Sequence, residues 1–489
     1  MNNDLSNKPK SSHIFKFVIM SLIGVFLFMV PIPHMDGVGG YDAFGTAVVG
    51  GGFDADGYAQ PGDRVFNIPL GFAINWVGEN LNTIPFGDYG LLFLLAAAAI
   101  TISFIMSVLA YTVKPAFIVN SEKLRSLFQC GIIYLISKAI GFAFVWMVFF
   151  DVGPAPILDI WDGGGLMMSL ISGDGGLMAI FIVIGIAIPL LTDFGIMEFL
   201  GILIKKVVRA LFTLPGRSSI DLLGSWFSSS AGAVIITRNQ HEKGFYTGRE
   251  AAAICVNFTL VSLPFTFVVA NFIGLTGYFA LFYFAICITS IILAVIMPRI
   301  WPLRGIKDEY LPEVGKQIDE DVPENISMFK QAVKVAGHRA SQTGPIDVIK
   351  SGASNWLSIF MDLIPVILAW GTIALVINAT TPVFQWISTP FGWFMQLLRV
   401  PDAMYYAPAT VVGFVDMFIP AVMLGTTAPH ETRFIIGALS IVQIIYMAET
   451  GILILKSKIP LHIGHLLVLF VMRTILALPL IVLFYRIIF

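Results

Sequence analysis

The chain has 489 residues, of which 57% are hydrophobic and only 12% are charged, with a net charge of −2. The charged share is about half that of a soluble domain, and the small net charge excludes a nucleic-acid-binding surface as the main role. The three cysteines lie in apolar stretches without CxxC spacing, which favours small core side chains over redox or metal groups (Cys130, Cys255, Cys287).

Nine apolar segments are long enough to be membrane-spanning helices, since about 20 apolar residues cross a bilayer. They lie at 14–33, 89–113, 128–150, 177–204, 250–273, 278–298, 356–378, 432–455 and 462–486. The connections predicted to lie on one side of the membrane hold 22 of the 29 Lys and Arg residues. This asymmetry places the N-terminus in the cytoplasm and predicts a multi-pass protein of a bacterial cytoplasmic (inner) membrane.

Two further apolar segments do not fit simple spans. Residues 212–237 and 401–428 are each interrupted near the middle by Pro, Gly and polar residues, and each begins and ends on the same side. They predict re-entrant hairpins, because irregular backbone is tolerated at membrane depth only inside protein or along a watery cavity. An odd number of spans separates the two hairpins, so they enter from opposite sides and their repeats are inverted.

The sequence around the first hairpin recurs 189 residues later without a gap. Gly224 matches Gly413, and both copies contain H-E-x-x-F-x-x-G, beginning at His241 and at His430. Inverted repeats with broken elements at the midplane are typical of secondary transporters. The fold class predicted is therefore an all-α polytopic membrane protein, with about nine transmembrane helices and two re-entrant hairpins in an inverted repeat.

The predicted organisation is a scaffold, two repeats and their connections. In order, these are N-terminal scaffold helices with Gly/Asp-rich outer loops (1–176), the first repeat (177–273), a connecting helix and cytoplasmic linker (274–355), the second repeat (356–455) and a C-terminal helix (456–489). The linker has mixed charge and predicts an amphipathic helix around 324–340. A regulatory or partner-binding role for it is the alternative to a simple connection.

Ionisable residues inside spans are functional candidates, since each costs a few kcal/mol at the bilayer centre unless paired or hydrated. Asp193 and Asp362 are candidates for binding a coupling ion. Glu449 and the adjacent Thr450 are candidates for binding substrate. Glu198 lies closer to the cytoplasmic end of its span, where a neighbouring lysine can pair with it.

The tips of the two hairpins differ chemically. The first has three consecutive hydroxyls, at Ser228, Ser229 and Ser230, whereas the second has Asp416 at the corresponding place. Hydroxyls and free backbone amides can bind a carboxylate or a sugar oxygen at a half-helix end. The alternative for the serines is a small-residue seam that lets helices approach closely.

Four other polar side chains interrupt apolar spans. Asn257 and Gln443 either contact substrate or make hydrogen bonds between helices. Lys138 and Arg473 are buried cations in this interpretation, and a carboxylate of the transport core is the partner expected for either.

The His-Glu pairs do not indicate a metal site. A zinc HExxH motif needs a second His at i+4, where this chain has Phe245 and Phe434. Charged neighbours favour a cap or salt-bridge role, with gating or proton handling as the alternative. The sequence also has no P-loop, G-x-S-x-G or dinucleotide fingerprint. It therefore predicts no metal, no cofactor other than an optional Na⁺, and no enzyme.

The segment from Leu214-Pro-Gly-Arg through Phe265 resembles a Gate, or nucleoside-recognition, domain, and the chain over about 180–480 resembles the YjiH-type bacterial membrane proteins. Ala231-Gly-Ala-Val-Ile-Ile-Thr-Arg238 and Thr247-Gly-Arg-Glu250 carry the likeness. Gate domains are similar to the core of concentrative nucleoside transporters, where two hairpins and two broken helices enclose substrate and a coupling Na⁺ or H⁺.

The resemblance implies substrate contacts at the three serines of the first tip and near Asp416, with the second helix break falling on Tyr446 to Gly451. The nucleoside transporters carry Gln and Glu at the first tip, where this chain has serines. An amino acid or a small peptide therefore fits the predicted site as well as a nucleoside does.

These observations predict an ion-coupled (Na⁺ or H⁺) secondary transporter of a small polar organic solute, working by elevator-like alternating access. Its partners are the solute and the lipid bilayer, and a homo-oligomer would suit such a mechanism. Two alternatives are a non-transporting membrane scaffold or sensor that uses Gate domains, and a metal-ion permease. The permease would need His, Cys or Met ligands at the tips, where only Met417 is present.

Overall fold

The structure is a computed structural model that describes residues 11–30, 32–34, 47–49, 64–86, 89–129, 131–159, 164–173, 176–212, 214–215, 218–219, 222, 230–259, 262–315 and 327–489. Five described helices are long and apolar enough to cross a bilayer: Ser11–Met29, Leu91–Thr112, Thr276–Arg299, Pro345–Thr380 and Ile463–Ile488. Two shorter apolar helices, Tyr134–Phe150 and Leu177–Leu190, accompany them. The protein is an all-α, multi-pass membrane protein, as the sequence predicts.

The N-terminal third forms a helical scaffold with a small sheet. Its helices are α1 (Ser11–Met29), α2 (Pro69–Asn82), α3 (Leu91–Thr112), α4 (Ala116–Val119), α5 (Glu122–Phe128), α6 (Ile132–Phe150), α7 (Ala155–Leu158) and α8 (Gly164–Ser172). The strands are β1 (Ile32–His34), β2 (Ala47–Val49), β3 (Arg64–Asn67), β4 (Pro85–Phe86) and β5 (Tyr89–Gly90). Three strands pair antiparallel in the order β1-β3-β2 and two form a β4-β5 hairpin.

The first repeat contains α9 (Leu177–Thr192), α10 (Ile196–Phe212), α11 (Ser230–Glu242), α12 (Gly248–Asn257) and α13 (Leu263–Phe272). The span expected at 177–204 is wrong as a single helix, because the chain turns at 193–195, where Gly195 has a φ of +102°. The span expected at 250–273 is also interrupted after Asn257. We call α12 and α13 broken helix 1.

Local sequence explains where broken helix 1 begins. The Thr247 hydroxyl accepts the N–H of Glu250 at 3.1 Å, and the Glu250 carboxylate accepts the N–H of Thr247 at 2.9 Å. This reciprocal capping box satisfies two of the backbone donors that a helix start leaves free. The second half-helix has a proline in its first turn, where the missing N–H costs nothing.

The connection between the repeats contains α14 (Phe279–Ile296), α15 (Met328–Gln342) and α16 (Pro345–Ser358). The last of these continues through a π-helical turn (Ile359–Leu363) into α17 (Ile364–Thr380). The structure confirms the amphipathic linker helix as α15, which packs against α1 and α10.

The second repeat continues with α18 (Val383–Leu397), α19 (Ala403–Val412), α20 (Ile419–Leu424), α21 (His430–Val442) and α22 (Ile452–Leu455), and the chain ends with α23 (Ile463–Ile488). The hairpin expected at 401–428 is present as α19, a nonhelical tip at 413–418, and α20. We call it hairpin 2. We call α21, the π-helical turn Met447–Gly451 and α22 broken helix 2. The amphipathic helix α18 was not predicted.

The first hairpin, predicted at 212–237, lies partly outside the described residues, so the 189-residue offset is tested only from α11 onwards, and it fails at the end of that helix. Helices α11 and α20 begin at Ser230 and Ile419, 189 residues apart. However, α11 has 13 residues and α20 has six, so the next helices begin only 182 residues apart, at Gly248 and His430. The two H-E-x-x-F-x-x-G motifs therefore occupy different places, the first at the end of a hairpin arm and the second at the start of a broken helix.

Each hairpin arm packs on the broken helix of the other repeat. The arm α11 contacts the π-helical turn and α22 of broken helix 2, and α20 contacts α13 of broken helix 1. At the second contact, the Phe418 ring meets the edges of Phe265 and Phe272, with centroid distances of 6.1 and 5.0 Å. The packing places both helix breaks in one region of the molecule.

Candidate functional site

Hairpin 2 and broken helix 2 are joined by their irregular backbone. The Phe414 carbonyl accepts the N–H of Met447 at 2.9 Å, and the Val415 carbonyl accepts the N–H of Ala448 at 3.0 Å. Both carbonyls lie in the nonhelical tip, so they are free to bond outside their own helix. The tip is thereby fixed to the break that follows it in the chain.

The hydroxyl of Thr450 holds the unwound part of broken helix 2. It donates to the Ile444 carbonyl at 3.0 Å and accepts the N–H of Tyr446 at 3.2 Å. Ile444 has a φ of +63°, a costly conformation for a β-branched residue. Thr450, predicted to bind substrate, therefore bonds within its own helix and stabilises a strained turn.

Gln443 lies where the tip meets the break. Its side-chain amide donates to the Thr410 carbonyl and to the Thr474 hydroxyl, both at 2.8 Å. Its Oε1 atom is buried and, among the described atoms, has no hydrogen-bond partner. Because Gly413 has no side chain, it leaves room for this oxygen, which would lie 2.4 Å from a Cβ there. A buried acceptor without a partner is a place for a ligand donor or a water.

A cavity of about 300 Å³ lies between the scaffold and the second repeat. One side is formed by the scaffold helix α6 together with α17, the other side by the hairpin tip and broken helix 2, and the lining residues are Tyr134, Ser137, Val366, Trp370, Phe414, Val415, Met447, Ala448 and Ile452. This volume is at the small end of the range for organic ligands, and a mostly apolar lining with a few polar groups is typical of such sites.

Two aromatic side chains, one on α6 and one on α17, make hydrogen bonds that stabilise this side of the cavity. The Tyr134 hydroxyl donates to the Ala448 carbonyl at 2.6 Å, and the Trp370 indole N–H donates to the Ser137 hydroxyl at 2.9 Å. The sequence analysis missed both residues. The available signal was a Tyr and a Trp inside apolar spans, because their polar atoms need a partner when buried.

Asp416 is buried at the hairpin tip, as predicted, and its immediate role is local. Its Oδ1 accepts the N–H of Phe418 at 2.8 Å, just before α20 begins. A carboxylate in this position satisfies a free donor at the helix start. The residue before it, Val415, lines the cavity.

Asn257 and Arg473 form one cluster between the two helix breaks. Arg473 is fully buried and makes four hydrogen bonds: Nη1 donates to the Val256 carbonyl and to Asn257 Oδ1, both at 2.9 Å, while Nε and Nη2 donate to the Val442 carbonyl at 3.0 and 2.8 Å. Asn257 Nδ2 donates to the Ala253 carbonyl at 2.9 Å. Asn257 therefore makes a hydrogen bond between helices, which is one of the two roles predicted for it.

The carboxylate partner expected for Arg473 is not found among the described side chains. Arg473 bonds to carbonyl and amide oxygens instead. Lys138 donates to the Leu127 carbonyl at 3.0 Å and to the Ser107 hydroxyl at 3.4 Å, and its ammonium lies 5.7 Å from the centre of the Phe128 ring.

The other predicted site residues are not part of the described cluster. Ser228 and Ser229 lie outside the described residues, as do the side chains of Ser230, Glu449 and Asp362. The last two belong to the π-helical turns Met447–Gly451 and Ile359–Leu363. Asp193 lies at the corner between α9 and α10, where its Oδ1 accepts the Thr192 hydroxyl at 2.9 Å.

Both His-Glu pairs make structural contacts. His241 Nδ1 lies 2.9 Å from the Tyr246 carbonyl, and Glu242 pairs with Arg238 at 2.8 Å. His430 Nδ1 lies 2.9 Å from the Tyr485 hydroxyl, and the neighbouring Glu431–Arg486 pair joins α21 to the end of α23 at 3.7 Å. Within the described part of the chain, no three His, Cys, Asp or Glu residues lie close enough to hold a metal.

Comparison with known proteins gives the following similarities. The Gate family, described as nucleoside recognition, matches residues 176–279, which cover the first repeat. The uncharacterized protein BpOF4_10220 of Alkalihalophilus pseudofirmus is 39% identical over 468 residues, or 96% of this chain and 93% of the relative.

Two solved structures of CNTnw, one of a variant in an outward-facing state and one in an inward-facing substrate-bound state, were also found. They are 16% and 14% identical, cover 81% and 84% of this chain and 98% and 97% of theirs, and have TM-scores of 0.39 and 0.38.

Proposed function

The chain belongs to the family of membrane proteins that includes BpOF4_10220, and from this premise we propose that it is a secondary transporter of a small organic solute. The Gate match makes a nucleoside one member of the solute class, with amino acids and small peptides as the others. The proposal is one of transport across the bilayer, without covalent chemistry on the solute.

The observation that carries this proposal is the cavity at the second helix break. Broken helices expose backbone groups at membrane depth, and such groups are tolerated only when buried in protein or lining a solute site. Here the break, the hairpin tip and the scaffold enclose about 300 Å³. The unpartnered Gln443 Oε1 lies at the same junction of tip and break.

The division of the cavity walls supports an elevator-like mechanism. Tyr134 and Ser137 belong to the scaffold helix α6, whereas Phe414 and Met447 belong to the second repeat. A displacement of the repeats against the scaffold would open this shared cavity toward one side of the membrane at a time. The coupling ion in the proposal is H⁺ or Na⁺. The proposed orientation, with the N-terminus in the cytoplasm of a bacterium, is supported by the distribution of Lys and Arg.

The test is thermal unfolding of the purified protein with a panel of nucleosides, amino acids and dipeptides, each in Na⁺ and in K⁺, followed by flux of any hit in proteoliposomes. A solute at 100 times its Kd adds about 2.7 kcal/mol if it binds only the folded state. Val415→Phe enlarges a side chain inside the cavity and should abolish the shift and the flux.

The matched control is Leu281→Phe, which enlarges an exposed side chain away from the cavity and should change neither readout. If no solute shifts unfolding and none is transported at any cation or pH, the non-transporting scaffold replaces this proposal.

A further inference from the structure

Arg473 is a buried cation that has no carboxylate partner among the described side chains. It is fully buried on α23, and its four hydrogen bonds go to three oxygens: the carbonyls of Val256 and Val442 and Oδ1 of Asn257. A buried charge is costly unless something compensates it. Among the described atoms, the compensation comes from these oxygens.

The two carbonyls are the C-terminal ends of two helices. Val256 lies in the last turn of α12 and Val442 is the last residue of α21, which have 10 and 13 residues. Carbonyls at a helix end have no partner in the helix, and the aligned peptide dipoles place about half a negative charge there. Two such ends supply roughly one negative charge, which matches the single positive charge of a guanidinium.

The geometry points to Arg473 as a resident cation that fills a monovalent-cation site formed by the breaks of both repeats. Unwound carbonyls and half-helix C-terminal ends bind Na⁺ in many transporters. Here the equivalent oxygens are already occupied by a side chain of the same chain. Together with Asn257 Oδ1 they form an all-oxygen acceptor set, which suits a hard monovalent cation or a guanidinium ion.

This assignment has a consequence for coupling, and that consequence rests on the proposed function. If the protein transports a solute, the positive charge of Arg473 occupies the junction of the two breaks, and no free ion is needed there. Coupling to Na⁺ then does not pass through the Val256 and Val442 carbonyls. The cation site itself stands on the contacts alone and can be tested without any solute.

The test is thermal unfolding of the full-length protein in a buffer whose only bulk cation is N-methylglucamine, with added guanidinium, Na⁺ or K⁺. Arg473→Ala should unfold at a lower temperature than the wild type and regain at least about 2 °C on addition of about 10 mM guanidinium, far below the molar concentrations that denature proteins. Wild-type protein should show no such gain.

Two further variants separate a cation site from a mere packing defect. Asn257→Asp in the Arg473→Ala background adds a negative charge beside the vacated position, so the half-saturating guanidinium or Na⁺ concentration should fall by about tenfold or more. Arg486→Ala is the control, because it removes an exposed arginine that donates to the Leu398 carbonyl at 2.6 Å. It should not respond to guanidinium.

The inference is overturned if Arg473→Ala responds to cations no more than the control does, or if wild-type protein gains stability from Na⁺ that Arg473→Ala loses. Should Arg473→Ala fail to fold, Arg473→Lys and Arg473→Gln replace it. The lysine variant keeps the charge and should unfold at a clearly higher temperature than the glutamine variant; equal values would also overturn the inference. A negative solute panel with positive cation rescue contradicts only the proposed function.

Discussion

The two broken helices have the same arrangement of two half-helices around a break. The amide side chains at the two breaks differ in their hydrogen bonds. Each gives a carbonyl to Arg473, and each has an amide side chain at the break, Asn257 in the first and Gln443 in the second. Both ends of the Asn257 amide are bonded. Gln443 Oε1 has no partner among the described atoms, and the cavity lies beside that break. Among the described atoms, the amide at the first break is therefore bonded at both ends, whereas the amide at the second break leaves an acceptor at the proposed site.

The two repeats also differ in the contacts that their amphipathic helices make. In the first repeat, the Thr343 hydroxyl at the end of the linker helix α15 donates to the Asp193 carbonyl at 2.8 Å, and Lys16 of α1 donates to the Thr343 carbonyl. In the second repeat, the amphipathic helix α18 packs mainly on α19 of its own hairpin. The linker thus fixes the corner of the first repeat, whereas α18 packs within the second repeat.

The largest loss of stability is expected from Gly195→Ala, which disturbs the contact between the corner at 193–195 and the linker helix α15. An alanine Cβ there would lie 2.6 Å from the Ala336 carbonyl oxygen and 2.8 Å from the Ala336 Cα, at a φ of +102°. The left-handed backbone costs roughly 1–2 kcal/mol and the clash with the backbone of α15 roughly 1–3 kcal/mol more. Denaturant titration of Gly195→Ala measures the loss.

The matched control for this change is Gly315→Ala. Gly315 also has a positive φ, of +70°, but nothing lies within 4 Å of the added Cβ. It should lose only the backbone contribution of roughly 1–2 kcal/mol. Equal losses in the two variants would show that the linker helix does not brace the first repeat.

A smaller loss is expected from Thr450→Val in the second break. The change keeps the shape of the side chain but removes the hydroxyl that bonds the Ile444 carbonyl and the Tyr446 N–H. Groups left unsatisfied in a buried turn cost roughly 1–3 kcal/mol. Ser440→Ala is the control, because its hydroxyl bonds only the Gly437 carbonyl within intact α21. The idea that Thr450 holds the break fails if the two variants lose the same stability.

The sequence predicted the apolar helices and the second hairpin because these depend on local composition. Apolar length defines spans, and Pro, Gly and polar residues mark interruptions. The resemblance to the nucleoside transporters implied a second break at Tyr446 to Gly451, and the π-helical turn Met447–Gly451 lies there. The repeat register beyond Ser230 was wrong because one hairpin arm is seven residues longer than the other. A fixed offset cannot represent such an insertion.

The partners of the polar residues could not be predicted. Arg473 was expected to meet a carboxylate, yet its partners are the ends of two helices that are distant in sequence. Residue type does not reveal this, because backbone carbonyls belong to every residue. For the same reason, the hydrogen bond from the Thr450 hydroxyl to the Ile444 carbonyl could not be predicted, and Thr450 was proposed to bind substrate. The cavity needed Tyr134 from the scaffold and Trp370 from α17, and the proximity of these two residues depends on tertiary packing.

The smallest effect concerns Glu198, which faces the linker helix outside the apolar spans. Its Oε1 lies 3.6 Å from Nε of Arg339, while its Oε2 is buried without a hydrogen-bond partner among the described atoms. Burial raises the pKa of this carboxyl, although Arg339 opposes the shift. Exposed pairs of this kind contribute less than about 1 kcal/mol, so the ionised form is slightly unfavourable in the folded protein.

Glu198→Gln should therefore raise the unfolding temperature slightly at neutral pH. The gain should disappear as the pH falls through the raised pKa of Glu198, because the wild-type carboxyl is then neutral as well. Unfolding temperatures of both proteins across a pH series measure this difference. If Glu198→Gln is instead less stable at neutral pH, and Arg339→Met shows the same loss, the ion pair outweighs burial. The linker would then brace the first repeat by charge as well as by packing.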